Sequence, residues 1–545
     1  MWKARRVRRA FCFLDVRLKQ SAQDQENDML RTLAAAACAL LMAGQAQAAG
    51  LAQARVAQGL LSAGPVEQGV TVFKGVPFAA PPVGPLRWRA PQAAAAWSGV
   101  RPADRFGANC MQKPIEGALG PWTPEYLAHG DISEDCLYLN VWTPAEGLGA
   151  KLPVMVWIPG GGFNQGSGSV PIYDGAGLAR RGVVVVTVNY RLNAFGFMAH
   201  PQLTAEGQGA SGNYGLQDQI AALQWVQANI AAFGGDPARV TVAGQSAGAA
   251  SVHALLAAPA AKGLFHQAIA QSGSGMGSGG TPLAKAEQDG VRFAEGLGAR
   301  TLAELRALPA DKVLETPSGM RFAPIIDGRT VPADPTRPGN AVSDVPLLTG
   351  LTADESSGMN RSYGKSTPAE LQTRLQTGFG ALARQAGAIY RASSDADAGE
   401  ASKRLSRDRG LAATWLWAQS RLQTSRQPVY AYLWTHVEPG PEEARYGAFH
   451  SSEMPYVFQT LAASPERPFT QEDRRISDQM AAYWANFIAK GDPNGQGLPT
   501  WPKVRAGSPV IMELGARPAP RPVLEPETLK LFQAYAEAGG GLSLF

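Results

Sequence analysis

Val240-Thr241-Val242-Ala243-Gly244-Gln245-Ser246-Ala247-Gly248 runs from a β-branched stretch straight into a Gly-x-Ser-x-Gly. That order predicts a strand, a sharp turn and a helix: the nucleophile elbow that lifts a serine hydroxyl over the edge of a sheet. So tight a turn needs small neighbours, which the flanking glycines supply. Ser246 then stands at the start of the next helix, where N–H groups without intrahelical partners favour an anion. A glycine-rich chain also produces this pattern by chance, so its meaning depends on its surroundings.

Upstream, Pro153-Val154-Met155-Val156-Trp157-Ile158 reads as a buried strand and leads into Pro159-Gly160-Gly161-Gly162-Phe163. Glycines at that point let backbone N–H groups approach a reacting carbonyl closely. The elbow adds the N–H of Ala247. Such donors form an oxyanion hole, each worth about 3–4 kcal/mol of transition-state stabilisation. A serine also needs a base, and the chain has six histidines. In the chain order Ser, acid, His, the base lies well downstream of the serine. His253 rides the same helix as Ser246, and His266 precedes the apolar Ala268-Ile269-Ala270 and packs there; His129 and His200 lie upstream. His436, at the end of the strand-like 429–434, and His450, in a polar loop before a helix, both remain; loops are where catalytic residues concentrate.

Further segments complete a pattern: Phe73-Lys74-Gly75-Val76-Pro77-Phe78-Ala79, Ser133-Glu134-Asp135-Cys136-Leu137-Tyr138-Leu139-Asn140-Val141, Asn189-Tyr190-Arg191, Phe233-Gly234-Gly235-Asp236-Pro237, Gln271-Ser272-Gly273-Ser274, Asp327-Gly328 and the block from His450 to Phe458. In this order, from about Val70 to Trp501, the chain resembles the type-B carboxylesterase/cholinesterase family of α/β-hydrolases. The resemblance implies an α/β-hydrolase fold: a large, mostly parallel central sheet flanked by helices, with helical cap excursions over a gorge. It implies a catalytic triad of Ser246, Glu355 and His450, the glutamate coming from Gly350-Leu351-Thr352-Ala353-Asp354-Glu355, with Asp354 the competing acid. It implies oxyanion donors at Gly161 and Gly162 besides Ala247, a disulfide between Cys110 and Cys136, and no cofactor or metal. Trp122 and Tyr126 lie between those cysteines and are candidate walls of the gorge mouth.

Two positions depart from the family pattern. Pro159 stands where relatives often have His or Tyr, and proline has no N–H to give. Gln245 stands where many relatives have glutamate beside the serine. Without that charge the site loses an anion suited to quaternary ammonium groups, so neutral esters are expected over choline esters.

The N-terminus reads as processing rather than fold. Met29-Leu30-Arg31-Thr32, an apolar run from Leu33 to Ala43 and Ala46-Gln47-Ala48 make a signal peptide over Met29–Ala48, with residues 1–28 an upstream mis-start or extension. The apolar run is too short to span a membrane, so no stable membrane anchor is expected. The expected location is periplasmic or secreted, where a disulfide persists. Residues 1–48 hold eight Lys/Arg and four Asp/Glu, so removing them takes the net charge from +5 to +1. That balance gives no reason to expect a nucleic-acid partner. Residues 49–545 read as one domain, with no linker or repeat. Val183 to Val188 and Val154 to Ile158 should be buried central strands, and Ile220, Leu223, Trp225, Val226 and Ile230 a helix stripe packed on them. The helix-rich regions Thr281 to Pro317 and Pro368 to Ser425 are expected to cap the gorge, and Arg517 to Pro522 to be a proline-rich surface stretch.

The expected activity is serine carboxylesterase chemistry on a small-molecule ester through an acyl-enzyme. The alternatives are a non-catalytic cholinesterase-like binding protein, or a lipase, amide or carbamate hydrolase using the same site.

Overall fold

Strands apolar on both faces belong inside a sheet covered on both sides, and the computed structural model places them there. It describes residues 50–542 except 274–279, 316, 318, 338 and 341; the signal peptide at Met29–Ala48, the segment before it and Ser274 lie outside the described residues. The sheet strands are β1 (Thr71–Pro77), β2 (Tyr138–Thr143), β3 (Leu152–Ile158), β4 (Val184–Val188), β5 (Gly235–Gln245), β6 (Gln267–Gln271), β7 (Leu347–Thr352), β8 (Val429–Trp434), β9 (Val510–Leu514) and β10 (Ala519–Pro522). Their spatial order is β10-β9-β8-β7-β6-β5-β3-β4-β2-β1. The seven strands from β9 to β4 run parallel; β1, β2 and β10 are antiparallel to their neighbours. Every residue of β4 and β8 is buried.

The principal helices are α1 (Tyr214–Asn229), α2 (Ala247–Ala257), α3 (Leu283–Gly296), α4 (Asp395–Leu422), α5 (Met454–Phe458) and α6 (Gln471–Lys490). The expected stripe on α1 is buried, ending in Ile230 just past the helix. Asp218 on the same helix is buried too, because Arg191 pairs with it at 2.7 Å. Gly50–Phe545 holds together as one compact unit. Among the described residues no helix is long and apolar enough to cross a membrane.

Chain order reverses at β3: β4 lies on one side of it and β5 on the other. In open α/β sheets this switch point opens a crevice at the carboxyl ends of the strands. Gly244 at the end of β5 is in register with Ile158 at the end of β3. The glycine loop and the elbow, 84 to 86 residues apart in sequence (Gly160 and Gly162 to Ser246), therefore leave the sheet side by side.

The expected helical cap differs from what the structure shows. The regions 281–317 and 368–425 are helix-rich, but none of their residues lines the cavity at Ser246 described below. α4 packs against β7 and β8 instead, burying Leu411, Ala412, Ala413, Trp415 and Trp417. The proline-rich stretch lies at the surface as expected and also supplies β10, the edge strand, a position where missing N–H groups interrupt no inner ladder.

Candidate active site

Ser246 has φ 58° and ψ −123°, a conformation rare for a residue with a side chain. Such backbone costs about 1–3 kcal/mol and persists only where its surroundings enforce it. Here the parallel ladders run into the turn: Gln245 is in register with Gln271, and the Ser246 N–H donates to the Gln271 carbonyl at 2.9 Å. The flanking glycines are required by contact. A Cβ on Gly244 would lie 2.5 Å from the Gly248 carbonyl carbon, and one on Gly248 would lie 2.1 Å from the Ile158 carbonyl oxygen. α2 starts at Ala247, so the N–H of Ala247 has no intrahelical acceptor.

The glycine loop rests on the elbow. A Cβ on Gly160 would come within 3.1 Å of the Ser246 Cβ. Gly161 and Gly162 have φ of 107° and 63°, and a Cβ on Gly161 would fall 2.3 Å from the Gln165 carbonyl oxygen. The N–H groups of Asn164 and Gln165 both donate to the Gly161 carbonyl. Among the described residues the N–H groups of Gly161 and Gly162 have no protein acceptor. The departure at Pro159 is accommodated: its ring is buried and its carbonyl accepts from the Tyr190 hydroxyl at 2.9 Å.

The acid loop after β7 and the histidine loop are zipped together. Asp354 N–H donates to the Ala448 carbonyl and Ala448 N–H donates to Asp354 Oδ2, each at 3.0 Å. Asp354 also accepts from the Tyr363 hydroxyl at 2.8 Å, so its carboxylate serves the scaffold. Its neighbour faces the other way: Glu355 Oε2 hydrogen-bonds His450 Nδ1, while Oε1 accepts from Thr352 N–H at 2.8 Å. Glu355 and His450 are both buried. With Nδ1–H given to the carboxylate, His450 Nε2 is left as the acceptor nitrogen. The other downstream histidines are engaged elsewhere. His436 Nε2 meets Asp473 Oδ1 at 2.8 Å, His266 Nδ1 accepts from Val240 N–H at 3.2 Å, and His253 is buried against Trp417, desolvation holding its pKa down to about 4.

Ser246, Gly160–Gly162 and His450 line one cavity of about 640 Å³. Trp122 and Tyr126 form part of its wall, on a loop closed by the Cys110–Cys136 disulfide. Trp122 Nε1–H donates to the His450 carbonyl at 2.9 Å, tying that loop to the site. Tyr126 donates to buried Glu438, which also pairs with Arg467.

Three features escaped the sequence reading. Gln245 is more than a missing charge: its Nε2 lies 3.0 Å from His450 Nε2. Glu453 is wholly buried behind the histidine, accepting from Gln271 Nε2 at 3.1 Å; desolvation, and then the Glu355 carboxylate, push its pKa up to about 7. Its place three residues after His450 was the only available signal. Lys113 and Arg321 also line the cavity, and no motif points to either.

The profile of the Carboxylesterase family matches residues 55–531. Fumonisin B1 esterase of Sphingopyxis macrogoltabida is 38% identical over 472 residues, 83% of this chain and 84% of that protein. Para-nitrobenzyl esterase of Bacillus subtilis (strain 168) is 36% identical over 468 residues, 81% of this chain and 90% of that one. A solved structure of PNB esterase superposes with a TM-score of 0.74 at 32% identity, covering 88% of this chain and 99% of the other. An α/β-hydrolase sheet, an elbow at its switch point and similarity along nearly the whole described chain lead to one conclusion: the chain belongs to the carboxylesterase family and is a carboxylic ester hydrolase.

Proposed function

We propose that the chain is an exported serine carboxylesterase in which Ser246 is the nucleophile, His450 the general base and Glu355 its orienting acid. The observation that carries this reading is the hydrogen bond from His450 Nδ1–H to Glu355 Oε2, made on the cavity that also holds Ser246 and the Gly160–Gly162 loop. In the proposed reaction His450 takes the Ser246 proton as the hydroxyl oxygen attacks the ester carbonyl. Glu355 fixes the ring tautomer and stabilises the imidazolium. The oxyanion is held by the N–H groups of Gly161, Gly162 and Ala247. His450 then gives its proton to the leaving alcohol. Water hydrolyses the acyl-enzyme with the same groups in reversed roles. Gln245 in place of an acid disfavours choline esters, and neutral carboxylic esters enter this site. Residues Met29–Ala48 direct export to the periplasm or beyond and are removed, leaving one domain from Ala49 to Phe545.

The test is hydrolysis of p-nitrophenyl esters of increasing acyl length, alongside labelling by a fluorophosphonate. Stoichiometric label on the peptide containing Ser246, with label and turnover both lost in Ser246→Ala, is expected. Turnover that persists in Ser246→Ala would refute the assignment. N-terminal sequencing of the exported protein should begin at Ala49.

A further inference from the structure

The charged residues that line the cavity are of one sign. Lys113 and Arg321 line it, and no aspartate or glutamate does. Glu116 and Asp131 are exposed neighbours of lining residues without lining the cavity themselves, and other nearby carboxylates are committed elsewhere. Glu134 pairs with Arg87, while Glu125 and Glu438 pair with Arg467. Deeper in, Gln245 occupies the place beside the serine with an amide, Glu355 is bound to His450, and Glu453 is wholly buried behind it. Lys113 and Arg321, by contrast, have no ion pair or hydrogen bond to protein among the described residues. They are exposed and line the cavity, so their charge is available to a ligand there.

We propose that this site selects ester substrates that carry a carboxylate of their own, recognised by Lys113 and Arg321 while the ester lies at Ser246. This rests on the Ser246 esterase reading and narrows its substrate class from neutral esters, which the site admits, to anionic ones, which it prefers. A cleft lined by charges of one sign, with apolar walls such as Trp122, Leu127 and Val170, concentrates oppositely charged ligands and speeds their entry. The planar guanidinium of Arg321 adds a two-point match to a carboxylate that lysine lacks.

The experiment compares kcat/KM for two matched pairs with the full protein. One pair bears the charge on the acyl side: mono-p-nitrophenyl adipate against p-nitrophenyl adipamate. The other bears it on the leaving group: 4-acetoxybenzoate against 4-acetoxybenzamide. At about 20 mM salt the carboxylate member of at least one pair should be favoured, by about tenfold or more. That preference should shrink towards unity at about 0.5 M salt, where the Debye length is only a few ångströms. In Lys113→Gln/Arg321→Gln the same ratio should fall about tenfold, while Lys113→Arg should keep it. Because the readout is a ratio within one protein, partial loss of folded enzyme cancels. Preference for the carboxamide in both pairs, or a ratio unmoved by the double replacement, would overturn the proposal while leaving the esterase reading intact. Failure of a folded protein to hydrolyse any of the four would instead overturn the Ser246 reading, and this proposal with it.

Discussion

Gly248→Ala is the smallest change that tests whether the elbow and the glycine loop act as one device. The added methyl group would sit 2.1 Å from the Ile158 carbonyl oxygen, 3.0 Å from its carbonyl carbon and 3.1 Å from the Pro159 carbonyl oxygen. All three atoms are backbone, so no side chain can swing aside. Real contacts of this kind stay beyond about 3.0 Å, so α2 and the end of β3 must part by roughly 1 Å. That displacement falls between Ser246, which α2 follows, and Gly161 and Gly162, which β3 leads into. A misplacement of about 1 Å between reacting groups costs on the order of 100-fold in rate, and overpacking of this kind costs about 1–3 kcal/mol of stability. Gly149→Ala is the control, since a Cβ there meets nothing within 4 Å. Thermal unfolding and kcat for a p-nitrophenyl ester are measured on both variants and the parent. The expected result is a folded Gly248→Ala protein with a lowered Tm and kcat down by about two orders of magnitude, and a Gly149→Ala protein that matches the parent. A Gly248→Ala enzyme with parental kcat would show that the two backbones yield without moving the site, and would refute the reasoning.

The same structure sets further expectations. Glu355→Gln should lower kcat by about 10³–10⁴ because the ring loses its orienting charge, whereas Asp354→Asn, which disturbs the Ala448 and Tyr363 contacts, should mainly lower Tm; the reverse ranking would move the acid assignment to Asp354. Glu453 has its pKa raised by burial from 4.5 to about 7, so the folded state keeps a proton that the unfolded chain sheds. Its contribution is fully present below the unfolded value and is lost as the pH climbs towards 7, on the order of 3 kcal/mol. Urea unfolding of Glu453→Gln at about pH 5 and about pH 8 should therefore show a flatter pH dependence than the parent, and an unchanged slope would count against a protonated Glu453. Reductant should lower the Tm of the parent by the equivalent of about 3–4 kcal/mol but leave a Cys110→Ala/Cys136→Ala variant unmoved. The same double variant should show a raised KM, because the freed loop carries Trp122 and Tyr126; equal KM values would mean that the Trp122–His450 bond and the Glu438–Arg467 contacts hold the wall without the disulfide.

Local chemistry determined much of this protein before any coordinate was known. A β-branched run ending in Gly-x-Ser-x-Gly can satisfy its sterics as a strand, a tight turn and a helix, and the contacts at Gly244 and Gly248 show why both glycines are needed. Runs apolar on both faces had to lie inside a sheet, and Val184–Val188 does. Neighbouring residues of an extended segment point apart, so Asp354 and Glu355 were bound to serve different partners, although the partners themselves were not legible. What lay beyond the sequence were meetings across long separations. Only the packed sheet puts Gln245 against His450, buries Glu453 behind that ring and turns α4 onto β7 and β8 rather than over the cavity. Only the folded loops set Lys113 and Arg321 around one cavity without an acid among them. The physical reason is range: backbone sterics and side-chain periodicity act over a few residues and leave their mark in the local sequence. The surroundings of a buried amide or an unpaired cation are set by segments about two hundred residues away (Lys113 to Arg321, Gln245 to His450), whose approach tertiary packing alone decides.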